Sequence, residues 1–577
     1  MGRGGAYAIR CGEWESMDKK RILYTVCFIA INMLDFVCNT QNGDIQSMAV
    51  NAMGIVILVI IATGHSVRNM LTGVNLIWTG LCVAAAVVPT VRAFALGRDS
   101  FMGMFVWAFV LAVFNVWWIL IYGKYMIGRL WRYRATQGKW AFNPGITGWI
   151  WIAMTVLMTL SRSGRVWPVW FFAMFGMFYL TRYSLRDRDA MMDGMIDGTI
   201  LSFFILQIFA YGFRPYDVVR YLGAFSNCNI TALHYLLVYT MVLFKLHLLH
   251  RRGARKGWKL FYFAGACGLL GFMFLTMGRT AWVTAFLVTM LYGIFVVRQN
   301  WQKKWSAVLG RFMALGLTTI LLFPAVFATV RWLPTILHHP VWFLAEYSEN
   351  KVHSFDPPDS PKYIEWDEFM ETVLGRIWGT LPFHVSRMND PFLLVAQAAD
   401  SSVLTDSGNA STTQTDTAAT ENGDAMEILD LKVLDKSLNV RLSIYKMYFQ
   451  ELNLLGHSQG EGHYIVEDTE NIVWHAHNLW LQIAYSYGIP TGLLFVVLTV
   501  LLLRKHYTSM KAHSENVYAI IPFFLCVMFF CYGIMEMVWN VGQVVLLLFF
   551  VVQHPQIGGS GAGDRSCRES KGKSETE

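Results

Sequence analysis

The apolar run SAVLGRFMALGLTTILLFPAVFATV, residues 306–330, decides the fold class of this chain. It holds 25 residues and a single charge, Arg311, so as a helix it is long enough to cross the hydrocarbon core of a bilayer. Similar runs recur along the chain and predict about 14 transmembrane helices. These lie near residues 22–38, 47–63, 70–91, 101–122, 144–160, 167–181, 192–213, 229–249, 259–277, 281–297, 306–330, 479–503, 516–534 and 538–552.

The composition also indicates a membrane protein. The chain has 577 residues, of which 55% are hydrophobic and only 15% are charged. Soluble globular proteins carry roughly 25% charged residues, so a single soluble domain or a set of them is excluded. The expected fold class is an all-α integral membrane protein with one large outer loop that contains short helices.

The net charge of +8 is explained by topology. With the N-terminus inside, the predicted cytoplasmic segments hold 30 Lys and Arg residues, whereas the short outer loops hold seven. This asymmetry follows the positive-inside rule and places both termini in the cytoplasm. The basic clusters at 124–139 and 251–259 are therefore topology signals that can touch anionic lipid, and no nucleic-acid partner is expected.

One long segment leaves the membrane. Residues 331–476 carry a net charge of −13 and form the predicted extracytoplasmic loop. Within it, the Ser/Thr/Ala-rich stretch 399–424 is predicted to be disordered, and apolar spacing predicts helices at Trp366–Trp378 and Val433–Leu452. The remaining parts are a cytoplasmic N-terminus, a membrane domain of about 11 helices, C-terminal membrane helices and a cytoplasmic tail, at residues 1–21, 22–330, 477–552 and 553–577.

The most informative motif follows this loop, in WHAHNLWLQIAYSYGIPTGLLF at residues 474–495. The pair His477-Asn478 is separated by nine residues from Gly488-Ile489-Pro490-Thr491. This pattern resembles the His-Asn, nine-residue gap, Gly-x-x-Thr signature of the O-antigen ligase and O-antigen polymerase family of multi-span bacterial membrane glycosyltransferases.

Three further stretches resemble the same family. The segment RYLGAFSNCN, residues 220–229, is similar to its Arg followed by a Gly-x-Phe-x-Asn-Pro-Asn turn, with Cys228 in place of the usual proline. The Gly-Arg-Thr turn around Arg279 stands where the family has Ser-Arg-Gly. Arg441, followed by Leu455-Gly456-His457, resembles the Arg and Gly-x-Gly elements that precede the histidine.

The resemblance implies a GT-C-like enzyme of cell-surface polysaccharide synthesis at the outer face of the cytoplasmic membrane. Such enzymes pass a glycan from an undecaprenyl-pyrophosphate carrier to a hydroxyl of a glycan, lipid or protein acceptor, without a metal or other cofactor. The leaving pyrophosphate needs cations and the acceptor hydroxyl gains from a base near neutral pKa. By resemblance, His477 would be that base or would orient the acceptor, with Arg279 and Arg220 as catalytic cations.

Four more residues are expected to bind substrate: Arg441, His475, Asn478 and Arg331. Each has a structural alternative, because an interfacial histidine can hydrogen-bond a helix start and an arginine at a helix end can snorkel to the interface. A metal site from the histidines near 457–477 is disfavoured, since their spacing repeats no known ligand pattern. Ligase and polymerase activity both fit these motifs.

Three ionisable residues and the number of spans also bear on function. Asp35, Asp197 and Glu536 lie in or near apolar runs, where ionisable groups are costly and often functional, although Asp35 and Glu536 lie close to span ends. The many spans would also suit a transporter or flippase for a lipid-linked sugar. Such proteins usually show related halves, and this sequence shows no internal repeat.

Overall fold

The computed structural model describes part of the chain. The described residues are 11–40, 145–163, 185–211, 216–217, 220–225, 227–337, 436–458, 464–466, 471–473, 475–513 and 518–536, with positions 61, 77, 127–128, 131, 135, 366–367, 369–371, 516 and 538.

Helices dominate these residues. The α-helices are α1 (Cys11–Thr40), α2 (Gly145–Leu160), α3 (Leu185–Ala210), α4 (Cys228–Arg251), α5 (Lys256–Leu275), α6 (Arg279–Leu291), α7 (Trp305–Leu337), α8 (Lys436–Gln450), α9 (Leu479–Tyr487), α10 (Ile489–Ala512) and α11 (Ile520–Gly533). A π-helix, Tyr292–Asn300, continues α6. Two antiparallel pairs of short strands complete the structure: β1 (Tyr216–Asp217) with β2 (Arg220–Tyr221), and β3 (Tyr464–Val466) with β4 (Asn471–Val473).

The prediction of a helical membrane protein is confirmed at this coarse level. Among the described residues, six helices are long and apolar enough to cross a membrane: Arg188–Ala210, Cys228–Arg251, Lys256–Leu275, Arg279–Gln299, Trp305–Arg331 and Ile489–Ala512. Two shorter apolar helices, α2 and α11, lie where spans were also predicted. The predicted spans at 47–63, 70–91, 101–122, 167–181 and 538–552 lie almost wholly outside the described residues.

The predicted span 479–503 differs from the structure. It is divided into α9 and α10 at Gly488, which has a φ of +93°. Only glycine adopts this backbone region readily, so the helix cannot continue through it. Pro490 then lies in the first turn of α10, where its missing N–H leaves no helical hydrogen bond unmade.

The long helices from α3 onwards run between two ends of the bundle. α4 begins beside the end of α11, where the Tyr532 hydroxyl donates to the Asn229 carbonyl at 2.8 Å. We call this the histidine end, because α9 also begins there. At the opposite end Arg252, which follows α4, pairs with Asp193 near the start of α3. We call that the basic end.

The core is a continuous set of buried apolar side chains shared by these helices. α1 lies close against α3, because a Cβ at Gly194 would be 2.6 Å from the Tyr24 Cβ. Small residues permit this kind of close helix approach within membranes. Asp197 of α3 accepts hydrogen bonds from Arg21 of α1 and Lys245 of α4, so this partly buried carboxylate is paired with cations from two neighbouring helices.

The segment after α7 contains structured pieces. α8 lies within the predicted helix Val433–Leu452, and residues 366–367 and 369–371 are helical within the predicted helix Trp366–Trp378. Phe369 is fully buried against Phe323 and Phe327 of α7. The β3–β4 hairpin was not predicted, and the stretch 399–424 lies outside the described residues.

Candidate functional site

The histidine motif lies in a short turn between β4 and α9. His477 has a φ of +46°, which is the left-handed region and is uncommon for a residue other than glycine. Asn478 is the N-cap of α9, because its side-chain oxygen accepts the Leu481 amide at 3.0 Å. The Asn478 amide nitrogen also donates to the Ile534 carbonyl at 3.0 Å. Asn478 therefore anchors the turn on the end of α11, and its expected contact with substrate stays a prediction.

Three side chains from distant parts of the sequence meet at this turn. Arg441 of α8 donates from one terminal nitrogen to the Glu536 carboxylate at 2.8 Å, and from the other to the Met535 carbonyl at 2.7 Å. The second oxygen of Glu536 lies 3.4 Å from His477 Nδ1. The side chains of all three are at most 13% exposed. We call Arg441, Glu536 and His477 the triad.

The charge of Glu536 is set by its two partners. Burial raises the pKa of this carboxyl group, but the hydrogen bond with His477 and the positive charge of Arg441 lower it by more, so the pKa is about 2. Glu536 is therefore a carboxylate at neutral pH and can only accept hydrogen bonds. It follows that His477 Nδ1 carries a proton towards Glu536, and that a neutral His477 has its lone pair on Nε2.

His475 lies beside His477 in the same turn. The two imidazole rings are 4.2 Å apart and edge to face, and the His477 backbone amide donates to His475 Nδ1 at 3.4 Å. Burial, with a smaller effect from His477, lowers the pKa of His475 to about 3, so this ring is neutral. Because its Nδ1 accepts, its proton lies on Nε2. The pair thus presents one accepting and one donating ring nitrogen.

Tyr445 holds the turn from the side of α8. Its hydroxyl lies 3.1 Å from the His477 carbonyl and 3.1 Å from the Ile534 carbonyl. Arg441 and Tyr445 are four residues apart, so they share one face of α8. This face therefore contacts both the histidine turn and the segment after α11.

Two glycines allow the loop after α8 to lie against the break between α9 and α10. Gly456 has a φ of +75°, and a Cβ there would overlap the Ser486 carbonyl. A Cβ at Gly488 would overlap the Leu454 carbonyl. The Ile489 amide donates across this contact to the Asn453 carbonyl at 2.9 Å. Both motif glycines are thus required by close backbone approach, which fixes the orientation of α9 and of the histidine turn.

Arg220 occupies a second position at the histidine end. It is buried, its Nε donates to the Thr276 carbonyl at 3.0 Å, and a terminal nitrogen donates to the Asn229 side chain at 2.7 Å. Thr276 lies in the turn that ends at Arg279, the first residue of α6. Arg220 thus joins the α5–α6 turn to the start of α4.

The two groups are connected through Tyr532. Its hydroxyl contacts the Asn229 carbonyl, and its own carbonyl accepts the Glu536 amide at 3.1 Å. The structure therefore brings Arg220, the Arg279 turn and the triad to the same end of the bundle. Arg331 is 2% exposed near the end of α7 and is not part of the triad.

The sequence alone assigns no role to Glu536 and does not point to Tyr445. The signal for Glu536 was an ionisable residue near an apolar run, which is costly unless paired. Its partners lie 95 and 59 residues away, so their proximity could not be read from local patterns. Among the described residues, no three His, Cys, Asp or Glu side chains are grouped so that they could hold a metal ion.

Comparison with known proteins gives no match to a family model, to a curated protein or to a solved structure. The resemblance to the O-antigen ligase and polymerase family therefore rests on the sequence motifs alone.

Proposed function

We propose that the chain is a membrane glycosyltransferase that transfers or polymerises an undecaprenyl-pyrophosphate-linked oligosaccharide at the outer face of the cytoplasmic membrane. The observation that carries the proposal is the triad. A buried carboxylate holds one nitrogen of His477, which leaves the other nitrogen to accept a proton. This arrangement suits a general base that activates a hydroxyl nucleophile.

In the proposed step, the acceptor hydroxyl loses its proton to His477 Nε2 as its oxygen bonds to the anomeric carbon of the donor sugar. The bond between that carbon and the pyrophosphate oxygen breaks, and the electron pair leaves with the carrier pyrophosphate. Glu536 stabilises the imidazolium that forms. A charged carboxylate at 3.4 Å is more effective here than a neutral group, because the positive charge develops beside it.

The leaving pyrophosphate gains negative charge in the same step. Arg220 and Arg279 are proposed to stabilise it, because a guanidinium group is always charged and matches phosphate oxygens in pairs. Arg220 is already held by two hydrogen bonds, so little conformational freedom remains to be lost when a phosphate binds. Arg279 lies at the N-terminus of α6, where the helix dipole also favours an anion.

Arg441 has a different proposed role. Two of its nitrogens are bonded to Glu536 and to the Met535 carbonyl, so it positions Glu536 and compensates its charge. Its expected contact with substrate stays a prediction, as do those of His475 and Arg331. The neutral His475 can donate from Nε2 to a substrate oxygen close to the base.

The function is tested with purified protein and an undecaprenyl-pyrophosphate-linked repeat unit. A ladder of longer lipid-linked glycans from the wild type, lost in His477→Ala, would identify a polymerase. Products that form only when a lipid-core or protein acceptor is added would identify a ligase. Movement of the carrier lipid across liposomes without covalent transfer, for every acceptor, would refute the proposal and identify a transporter.

A further inference from the structure

A basic surface lies at the basic end, opposite the proposed catalytic site. It consists of cations from the α4–α5 turn and from the start of α7: Arg251, Lys256, Lys259, Lys303, Lys304 and Arg311. Between residues 251 and 311 the sequence contains no Asp or Glu. Elsewhere at this end, Arg21, Lys245 and Arg252 are paired with the carboxylates of α3.

Trp301 joins the two halves of the basic surface. Its ring stacks on His250 with centroids 4.0 Å apart, and its indole nitrogen donates to His247 Nδ1 at 3.3 Å. The Arg311 guanidinium lies 5.7 Å from the centre of the Trp301 ring. The loop before α7 is therefore held against the end of α4.

The contact between Trp301 and the end of α4 brings like charges together. Lys303 lies two residues after Trp301, and the Arg311 guanidinium lies over the Trp301 ring. On the other side of the contact, Arg251 follows His250 directly, and Lys259 lies in the first turn of α5 just beyond the α4–α5 turn. Like charges that converge repel one another unless an anion lies between them. The positive-inside rule accounts for the number of cations at this end, but it does not require them to lie around one contact between Trp301 and His250.

The surface next to these cations is apolar and exposed. Trp258, Leu260 and Phe261 of α5, and Trp305 and Leu309 of α7, are each more than half exposed. Tryptophan beside lysine or arginine is typical of the boundary between headgroups and acyl chains. A free phosphate ion would contact only the cations. A lipid would contact the cations with its headgroup and the exposed apolar side chains with its acyl chains.

We propose that the basic surface binds the phosphate headgroup of an anionic membrane lipid whose acyl chains lie along the exposed apolar faces of α5 and α7. The headgroup phosphate would lie between Lys259 and Lys303 and offset their repulsion. The bound lipid would fix the α4–α5 turn to the loop before α7. Lipid binding at this surface does not depend on glycan transfer.

The test is a titration of the purified protein in zwitterionic detergent, read by native mass spectrometry. Phosphatidylglycerol and phosphatidylcholine are compared on the wild type and on Lys259→Gln/Lys303→Gln. A lysine near an anionic surface contributes about 1 kcal/mol, so the double variant should bind phosphatidylglycerol about 30-fold more weakly. The conservative Lys259→Arg/Lys303→Arg variant keeps both charges and should retain wild-type affinity.

The matched control is Arg504→Gln/Lys511→Gln. It removes two exposed positive charges from the part of α10 that lies at the basic end of the bundle, outside the basic surface. Equal weakening in this control would reduce the effect to general charge attraction and overturn the site. The proposed site would also be overturned if the wild type bound phosphatidylcholine as tightly as phosphatidylglycerol. Binding of inorganic phosphate alone with the affinity of phosphatidylglycerol would overturn it as well.

Discussion

Replacing Glu536 by Gln removes one negative charge from the triad while keeping the shape of the side chain. In the wild type, the carboxylate faces His477 Nδ1 and so keeps the proton on that nitrogen. The amide of Gln can instead donate to Nδ1, which moves the imidazole proton to Nε2. The nitrogen proposed as the base would then carry a proton and could not accept one, and the transition state would lose the stabilising carboxylate charge.

The size of both effects can be worked out from the geometry. Loss of a positioned general base lowers rates by roughly 100-fold to 10,000-fold, so we expect a fall in transfer rate within that range. For stability, Glu536 has a pKa of about 2 against its ordinary 4.5, since its hydrogen bond with His477 and the charge of Arg441 outweigh the opposing effect of burial. Such a lowering corresponds to about 3 kcal/mol of stability at neutral pH.

The sign of the pH dependence follows from this shift. A carboxyl group whose pKa is lower in the folded state stabilises the fold above its unfolded pKa. That stabilisation is lost as the pH falls from about 4.5 towards 2. The melting temperature of Glu536→Gln should therefore be lower than that of the wild type at pH 7, and the difference should shrink below pH 4.5.

The assay measures initial rates of glycan transfer at saturating donor, with melting temperature followed from pH 3 to pH 8. Glu451→Gln is the matched control, because Glu451 is exposed beyond the end of α8 and the same atoms are exchanged. The control should stay within about twofold of the wild type. A Glu536→Gln protein that transfers glycan at more than half the wild-type rate would refute the reasoning about the triad.

Three further substitutions test the scaffold and the cations. Gly488→Ala should lower the free energy of unfolding by roughly 2 kcal/mol or more, because its φ is +93° and a methyl group would overlap a carbonyl. The control is Gly310→Ala, which has open space around it and should be neutral or stabilising by thermal unfolding. Arg220→Lys should reduce transfer at least about tenfold in steady-state kinetics with the fold intact, since lysine cannot keep two divergent hydrogen bonds; wild-type kinetics would contradict its role. Asp197→Asn should cost about 3 kcal/mol because it leaves the buried Lys245 and the partly exposed Arg21 without their carboxylate partner. Asp189→Asn, at a partly exposed pair, should cost less than about 1 kcal/mol, and equal losses would contradict the argument.

The sequence predicted the helical membrane fold because bilayer solvation imposes a local rule: each span must be apolar over about 20 residues. The run 306–330 satisfies this rule without reference to any other part of the chain, and α7 follows it. The break at Gly488 was not predicted, although this glycine belongs to the motif. Its positive φ depends on the approach of the loop at Leu454, which is a tertiary contact.

The candidate site could be predicted only in part. The motif identified His477 and Arg220, and the contacts of Arg220 with Thr276 and Asn229 join two of the quoted stretches. The role of Glu536 required knowing that α8 lies against the end of α11, which no local pattern reveals. In a helix, His475 and His477 would lie on different faces because they are two residues apart. Their rings are adjacent here because the turn that holds them is not helical.

The central claim is that His477 is the base for the acceptor hydroxyl, and chemical rescue tests it most directly. Glycine suits position 477 because the backbone there already has a φ of +46°, so His477→Gly removes the imidazole without backbone strain. Single-turnover transfer should be lost in this variant and restored in part by added imidazole, with Glu536 still present to hold it. Transfer by His477→Gly at the wild-type rate without imidazole would contradict the account.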